Sequence, residues 1–264
     1  MESLGVVVTG AGAGIGRAIA HRLAAEGARV VVNDLSAPSA ERVAGEVGGV
    51  AVPGDAASEA GVADLVDTAR RELGRIDVYV ANAGVAGGLG LDADEADWAH
   101  LWDVNVMGHV RAARLLVPEW VQAGRGRFVA TASAAGLLTM LGSAPYSVTK
   151  HATVAFAEWL SATYGSRGVV VQVLAPLGVE TSMLASAGPM EVLLRHDPVL
   201  TPEQVAEVVW QAFADDRFFI FPHEQVREYY RHRATDTEAW LESMRGVQTI
   251  LETSPGGRTD KEAQ

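Results

Sequence analysis

Tyr146 and Lys150, four residues apart, are the pair in this sequence best suited to proton transfer. In a helix this spacing places both side chains on one face. A free phenol has a pKa of about 10 and is a poor base at neutral pH, but an adjacent ammonium favours the phenolate. Lys150 could therefore bring Tyr146 into the working range of a general acid–base. Because Tyr-x-x-x-Lys is common by chance, a surface pair is the alternative interpretation.

Two other polar residues, Ser133 and Asn105, stand where they could join this pair. Ser133 follows an apolar run that predicts a strand, and ligands of doubly wound sheets bind at the carboxyl edge of the strands. Asn105 lies among apolar residues of a helical pattern, with Gly108 soon after it. A polar residue in that setting predicts a locally opened helix rather than an exposed side chain.

The glycine-rich segment Thr9–Gly16 predicts a phosphate-binding loop, because it connects the apolar run Leu4–Val8 directly to a helical pattern. Gly10 would permit the tight turn, Gly14 would let a pyrophosphate approach the backbone, and Gly16 would let the helix pack closely on the sheet. The helix N-terminus would offer free N–H groups to the phosphates. A flexible turn is the alternative, but the strand–loop–helix context favours dinucleotide binding.

Asp34, at the end of the second apolar run, bears on the choice of dinucleotide. A carboxylate there accepts hydrogen bonds from both adenosine ribose hydroxyls and repels a 2′-phosphate. No Arg or Lys follows at positions 35–37, so we expect NAD rather than NADP. The alternative is that Asp34 only caps the next turn or helix. Arg17 is the nearest basic residue, and we interpret it as a solvated helix residue.

Short β-branched apolar runs alternate with amphipathic segments of helical length. This pattern predicts an α/β fold with a doubly wound parallel sheet, a Rossmann fold of about seven strands with helices on both faces. The predicted strands are Leu4–Val8, Arg29–Val32, Gly49–Val52, Ile76–Val80, Arg127–Ala132, Val169–Leu174 and Phe218–Phe221. The predicted helices are Ile15–Glu26, Ser58–Leu73, Asp94–Gln122, Tyr146–Ser166, Thr201–Ala214 and Gln225–Glu252. We expect one domain over residues 1–252, a lid near 182–200 and a disordered tail at 253–264.

Composition limits the classes of partner and compartment. The net charge of -12 disfavours nucleic acid, whose phosphates need clustered Lys and Arg. The absence of cysteine excludes disulfides, thiolate catalysis and Cys-ligated zinc, and the seven histidines lack metal-ligand spacing, so no metal site is expected. The first residues lack signal-peptide features, and no apolar stretch reaches the length of about 20 residues that spans a bilayer. We therefore expect a cytoplasmic protein without membrane contact.

Together these motifs resemble the short-chain dehydrogenase/reductase family in its single-domain form. The matching segments are Thr9-Gly10-x-x-x-Gly14-Ile15-Gly16, Asp34, Gly54-Asp55, Asn82-Ala83-Gly84, Asn105, Ser133 and Tyr146-x-x-x-Lys150, in the family's order and spacing from Leu4 to about Thr181. The resemblance implies an NAD-dependent oxidoreductase that transfers a hydride between nicotinamide and a secondary alcohol or ketone. It also implies a homodimer or homotetramer built through the helices at Asp94–Gln122 and Tyr146–Ser166.

The resemblance also implies roles for particular residues. Tyr146 would exchange a proton with the substrate oxygen, Ser133 would hydrogen-bond that oxygen, Lys150 would bind the nicotinamide ribose, and Asn105 would hold a water that relays protons from Lys150. Asp55 would contact the adenine. The cofactor-binding set would comprise Gly10, Ala13, Gly14, Ile15, Gly16, Asp34, Leu35, Asp55, Ala56, Asn82, Ala83, Gly84, Tyr146, Lys150, Pro176, Gly178, Val179 and Thr181, with Val179 and Thr181 on the nicotinamide carboxamide.

One segment departs from the family pattern. The family usually has Pro-Gly after the sixth strand, whereas here Leu177 follows Pro176 and the glycine comes one place later, at Gly178. The departure puts the local backbone and the floor of the pocket in question. A milder departure is Ala81, where the family often has Asn.

Three mostly apolar segments are expected to line the substrate pocket, Val85–Leu91, Ala134–Leu141 and Met183–Leu194. They predict a hydrophobic alcohol or ketone as substrate, although they could instead pack against one another or against a neighbouring subunit. An NADPH-dependent ketoreductase of a biosynthetic pathway is the alternative enzyme. An epimerase or dehydratase is a less favoured alternative. A cofactor sensor without turnover is also disfavoured, because Tyr146, Lys150 and Ser133 are all retained.

Overall fold

Seven parallel strands form one sheet in the order β3-β2-β1-β4-β5-β6-β7. The computed structural model describes residues 3–187, 191–194 and 197–253. The strands are β1 (Gly5–Val8), β2 (Arg29–Val32), β3 (Val50–Ala51), β4 (Val78–Ala81), β5 (Gly126–Thr131), β6 (Val169–Leu174) and β7 (Phe219–Ile220). The strand order reverses between β1 and β4, which creates a crevice for ligands at their carboxyl ends. The predicted doubly wound parallel sheet is confirmed.

Helices cover both faces of this sheet. They are α1 (Gly14–Ala25), α2 (Ala37–Val47), α3 (Glu59–Leu73), α4 (Glu95–Trp102), α5 (Gly108–Ala123), α6 (Ala135–Leu138), α7 (Ala144–Tyr164), α8 (Ser182–Ala185), α9 (Glu191–Leu194), α10 (Pro202–Ala212), α11 (Glu224–Thr235) and α12 (Thr237–Thr253). A π-helical turn spans Asp103–Met107, and a 3₁₀ turn spans Gly165–Arg167.

The strands are apolar throughout because both faces of the sheet are buried. In β1, Val7 packs into one hydrophobic cluster, with α3, α5 and α7. Its neighbours Val6 and Val8 pack into the other, with α1, α2 and α10. This explains why the sequence shows continuous valine runs rather than an alternating pattern.

Two predicted helices are divided in the structure. The segment Asp94–Gln122 is interrupted by the π-helical turn, which contains Asn105 and agrees with the locally opened helix predicted there. The segment Gln225–Glu252 is two helices separated at Asp236, whose Oδ1 accepts the Ala239 N–H at 3.0 Å. Helix α2 was not predicted, and its sequence, APSAERVAGEV, contains a proline that fits only the first turn.

The predicted lid carries the short helices α8 and α9, and its last residue, Leu200, forms an isolated parallel bridge with Val179. Residues 188–190 and 195–196 of the lid, and 254–264 of the predicted tail, lie outside the described residues. Among the helices that are described, none combines the length and apolarity required to cross a bilayer.

Candidate active site

Tyr146 and Lys150 lie on one face of α7, with only 7% and 3% of their surfaces exposed. The Lys150 ammonium is 5.6 Å from the centroid of the Tyr146 ring. It donates a hydrogen bond of 2.9 Å to the carbonyl of Thr131, the last residue of β5. The pair is therefore held at the carboxyl edge of the sheet, and the surface-pair interpretation is wrong.

Burial sets the protonation behaviour of both side chains. It raises the pKa of Tyr146 above its ordinary value of 10, while a side-chain hydrogen bond with Ser133 acts in the opposite direction. It also lowers the pKa of Lys150 to about 8. The direction of the Tyr146 shift is therefore opposite to the one that the spacing to Lys150 predicted.

Ser133 follows β5 and brings a second hydroxyl to the phenol. Its Oγ accepts the Ala135 N–H at 3.1 Å, which fixes the side chain at the start of α6. Ser133 also acts to lower the pKa of Tyr146, which indicates that its hydroxyl lies near the phenol. Two neighbouring hydroxyls can hold a single substrate oxygen between them.

Asn105 is completely buried in the π-helical turn and uses its whole side chain on neighbouring residues. Its Oδ1 accepts the Val85 N–H at 2.9 Å, and its Nδ2 donates to the Val85 carbonyl at 2.9 Å and to Thr149 Oγ1 at 3.2 Å. The Asn105 carbonyl accepts the Thr153 hydroxyl at 2.8 Å. The amide is therefore held by its protein partners, and the binding of a water at Asn105 stays a prediction.

The glycine-rich loop has the backbone that its sequence predicted. Gly10 and Gly14 have φ angles of 59° and 52°, in the left-handed region. A Cβ on Gly16 would collide with the Gly10 carbonyl, so the helix can approach the loop only at a glycine. Among the described residues, no side chain caps α1 at Ala13. The first N–H groups of the helix are therefore free to bind an anion.

A cavity of about 530 Å³ opens beside this helix end. It is lined by Ala13, Gly14, Arg17, Glu180, Thr181, Ser182, Leu184, Ala185, Pro202 and Glu203. A Cβ on Gly14 would lie 3.1 Å from Thr181 Cγ2, so the loops after β1 and β6 face each other across the cleft. The cavity joins the predicted phosphate-binding loop to the predicted carboxamide-binding residue Thr181.

The segment Asn82–Gly84, after β4, is attached to the glycine-rich loop through Thr9. The Thr9 hydroxyl accepts the N–H groups of Asn82 and Ala83, each at 2.9 Å, and Asn82 Nδ2 donates to the Thr9 carbonyl at 3.0 Å. A Cβ on Gly84 would lie only 3.3 Å from the Lys150 ammonium. The segment thus connects the two halves of the site.

Asp34 follows β2 and holds the turn around it, as the capping interpretation predicted. Its Oδ2 accepts the Gly12 N–H and its Oδ1 accepts the Ser36 N–H, each at 2.9 Å. Each carboxylate oxygen retains a further acceptor position for a hydroxyl. The next side chain, Leu35, is 80% exposed, beside the position predicted for the adenosine.

An acidic residue near this end of the cleft, Glu46 on α2, was missed in the sequence because α2 was not predicted. It binds Arg17 at 3.0 Å and Arg42 at 2.8 Å, and Arg42 also donates to the Gly12 carbonyl at 2.8 Å. Hydrogen bonds from His21, Arg42 and Arg17 lower the pKa of Glu46 to about 2. Glu46 therefore stays ionised and partly neutralises the two arginines.

Asp55 shapes the turn before α3. It accepts the N–H groups of Ala57 at 2.8 Å and Ser58 at 3.2 Å. Burial opposes ionisation, but these hydrogen bonds hold the pKa of Asp55 below its usual value. Ala56 lies close to the start of α5. A Cβ added to Gly108 would lie only 2.7 Å from the Ala56 carbonyl oxygen. The predicted adenine contact at Asp55 stays a prediction.

In the Pro176-Leu177-Gly178 segment, the structure explains why the glycine stands one place later than in the family pattern. A Cβ on Gly178 would collide with the Leu194 carbonyl, so the close approach of backbones falls at this residue. Leu177 packs against the hydrophobic cluster on the α7 face of the sheet. Its N–H donates to His223 Nδ1 at 3.2 Å, an interaction that no pattern in the sequence indicated.

A second buried histidine, His109 on α5, packs edge-on against Phe128, with 6.3 Å between ring centroids. Within the described part of the chain, neither ring nitrogen has a hydrogen-bond partner. Burial, and then the charge of Lys150, lowers the pKa of His109 to about 3. The ring is therefore neutral. The effect of Lys150 on His109 shows that the ammonium charge acts on buried groups next to the site.

The predicted pocket segments divide between core and site. Val85 and Met140 pack against Leu101, Ala135 and Tyr146 and make the surroundings of the phenol apolar. By contrast, the predicted lining residues Leu137 and Leu138 belong to the hydrophobic core. The side chains of Leu89, Leu91 and Met183 are exposed. The packing alternative is thus correct for part of these segments.

The described residues include no group of three or more histidine, aspartate or glutamate side chains that could hold a metal ion. The site itself offers the Tyr146 and Ser133 hydroxyls, the Lys150 ammonium and the uncapped N-terminus of α1.

Comparisons with known proteins identify the family of this chain. The family model described as short chain dehydrogenase matches residues 5–192. A 1-deoxy-11-beta-hydroxypentalenate dehydrogenase of Streptomyces avermitilis is 37% identical over 255 residues, which cover 90% of this chain and 93% of that protein. A meso-2,3-butanediol dehydrogenase of Serratia marcescens is 32% identical over 225 residues, covering 81% and 89% of the two chains.

Solved structures show the same fold. A short-chain dehydrogenase/reductase from Burkholderia phymatum in complex with NAD superposes with a TM-score of 0.82 at 29% identity, covering 90% of this chain and 96% of that one. A 7 alpha-hydroxysteroid dehydrogenase complexed with NADH and 7-oxo glycochenodeoxycholic acid superposes with a TM-score of 0.77 at 28% identity, covering 83% and 92%. The chain belongs to the short-chain dehydrogenase/reductase family and is an oxidoreductase that acts on CH–OH groups.

Proposed function

We propose that the protein transfers a hydride between NAD and an apolar secondary alcohol or ketone, with Tyr146 as the acid–base residue. The observation that carries this proposal is the buried Tyr146–Lys150 pair on one face of α7, which Lys150 ties to the end of β5 just before Ser133, at the sheet edge that the uncapped helix α1 also reaches. A bound nicotinamide ring would supply the hydride acceptor or donor and, when oxidised, a positive charge.

The residues of this chain divide the proton chemistry among them. Ser133 positions the substrate oxygen, and Tyr146 takes its proton in oxidation or returns it in reduction. Lys150 holds the nicotinamide ribose and stabilises the phenolate electrostatically. Asn105, buried close to Thr149 on the same helix as Lys150, holds a water through which protons from Lys150 reach solvent.

NAD is favoured over NADP by the charges at the adenosine end. Asp34 has acceptor positions left for the two ribose hydroxyls, and its charge would repel a 2′-phosphate. The nearby cations, Arg17 and Arg42, are both paired with Glu46. A 2′-phosphate would therefore have to displace an ionised carboxylate to gain an arginine.

An apolar substrate is supported by the surroundings of the phenol, where Val85, Met140, Leu101 and Ala135 pack around Tyr146. Burying apolar surface of a ligand against such side chains favours binding by about 25 cal/mol per Å². Two similar proteins are named as dehydrogenases of a hydroxypentalenate and of a hydroxysteroid, both of which are alicyclic alcohols. An alicyclic secondary alcohol is therefore the substrate class that we would test first.

Self-association is supported by an aromatic cluster on α7. Trp159 is 56% exposed and lies beside Phe156 and Tyr164, with ring centroids 6.4 Å and 5.8 Å apart. Exposed aromatic surface of this kind is typical of protein interfaces. We propose that α7 contributes to a homodimer or homotetramer.

The cytoplasmic location stays a prediction of the sequence.

The test is nicotinamide absorbance over time with NAD⁺ and NADP⁺ in parallel, against alicyclic, steroid, hydroxyacyl and sugar-derived secondary alcohols. We expect turnover with NAD⁺ on an apolar alcohol. A preference for NADP⁺, or turnover of the sugar-derived alcohols alone, would contradict the proposed cofactor or substrate class.

A further inference from the structure

His223 lies three residues after β7, at the start of α11, and is only 3% exposed beside the turn that departs from the family pattern. Its Nδ1 accepts the Leu177 N–H at 3.2 Å, and its Nε2 is 3.1 Å from the Gly178 carbonyl. Because an N–H can only donate and a carbonyl can only accept, the contacts require a neutral ring with its proton on Nε2. One imidazole thus bridges two consecutive residues of the turn.

The same turn is fixed from its other side by the end of the lid. The Leu200 N–H donates to the Gly178 carbonyl at 3.1 Å, and the Leu200 carbonyl accepts the Glu180 N–H at 2.9 Å. The residue between these contacts is Val179, which pairs with Leu200. His223 and Leu200 therefore hold the backbone of Leu177–Glu180 from two directions.

The position of this backbone matters for the cleft. The Thr181 side chain lies opposite Gly14 of the phosphate-binding loop and lines the cavity. A shift of the turn would move Val179 and Thr181 together, because both follow it directly. A misplacement of about 1 Å is enough to weaken an aligned polar contact substantially.

We propose that His223 is a positioning residue for the cofactor: by bridging Leu177 and Gly178 it places Val179 and Thr181 against the nicotinamide carboxamide. The inference rests on the proposed function, since it takes those two residues as carboxamide ligands. Burial lowers the pKa of His223, against the opposing effects of Gly178, Pro198 and Asp197, which agrees with a neutral ring.

The test compares NADH with ADP-ribose, which lacks the nicotinamide, as ligands in calorimetric titrations of wild-type protein and His223→Phe. The aromatic replacement keeps the ring volume and removes both hydrogen bonds. Because displacement of the turn would weaken the carboxamide contacts and leave the phosphate-binding loop unaltered, we expect NADH affinity to fall about tenfold while ADP-ribose affinity is unchanged. His223→Gln, which offers one donor and one acceptor, should recover part of the NADH affinity.

His232→Gln on the exposed face of α11 is the matched control and should bind both ligands as the wild type does. Equal NADH affinity in the wild type and His223→Phe would overturn the inference. So would an equal loss for both ligands in His223→Phe and His223→Gln, because that pattern indicates general destabilisation. If wild-type protein binds ADP-ribose but not NADH, or binds neither, the proposed function itself fails and this inference fails with it.

Discussion

Replacing Asn105 with alanine should reduce stability strongly, because the amide holds the loop after β4 in place. Three side-chain hydrogen bonds are lost, two to Val85 and one to Thr149, at a residue with no exposed surface. Hydrogen bonds contribute about 0.5–1.5 kcal/mol each. The expected loss in the free energy of unfolding is therefore about 2–4 kcal/mol, a large part of the margin of an ordinary domain.

The assay is urea unfolding followed by far-UV circular dichroism, with the free energy extrapolated to water. Thr149→Val is the graded control. It leaves Asn105 both bonds to Val85, so we expect a loss of only about 1–2 kcal/mol for the hydroxyl's contacts. A loss below about 1 kcal/mol for Asn105→Ala would refute the reasoning, and so would equal losses for the two variants.

Three other predictions concern cofactor choice, ionisation and assembly. Asp34→Ala should raise kcat/KM with NADP⁺ relative to NAD⁺ by removing the repulsion of a 2′-phosphate; an unchanged ratio in steady-state assays would refute that role. Burial lowers the pKa of Lys150 to about 8, so the unfolded chain binds the extra proton above that pH. The free energy of unfolding should consequently rise between about pH 8 and 10 in the wild type relative to Lys150→Met, and parallel curves in urea titrations would count against it. Trp159→Glu should shift the oligomer towards monomer in light scattering, and an unchanged mass would exclude α7 from the interface.

Local patterns in the sequence were sufficient for the sheet and for the glycine-rich loop. The valine run of β1 and the glycines Gly10 and Gly14 are constrained by backbone conformation and burial, which nearby residues largely determine. The π-helical turn was visible for the same reason, because Asn105 is a polar residue in an apolar helical pattern. Features encoded by adjacent residues were thus predictable.

Contacts between distant segments were not predictable. Glu46 approaches the adenosine end only because α2 packs beside α1, and His223 reaches Leu177 across 46 residues of sequence. Leu137 and Leu138 were expected to line the pocket, but on α6 their side chains pack in the hydrophobic core. The pKa of Tyr146 likewise depends on burial by the whole fold, whereas the spacing to Lys150 alone suggested the opposite direction. Such properties depend on tertiary packing, which a single sequence does not display.

Turnover by Tyr146→Phe, compared with wild type on an apolar secondary alcohol with NAD⁺, tests the central claim most directly. The substitution removes the hydroxyl that exchanges the proton and keeps the buried ring. General acid–base catalysis contributes about 10²–10⁴-fold, so we predict that kcat falls by at least about 10²-fold while NADH affinity, measured by titration, stays within about twofold. A kcat equal to that of the wild type would contradict the assignment of Tyr146 as the acid–base residue.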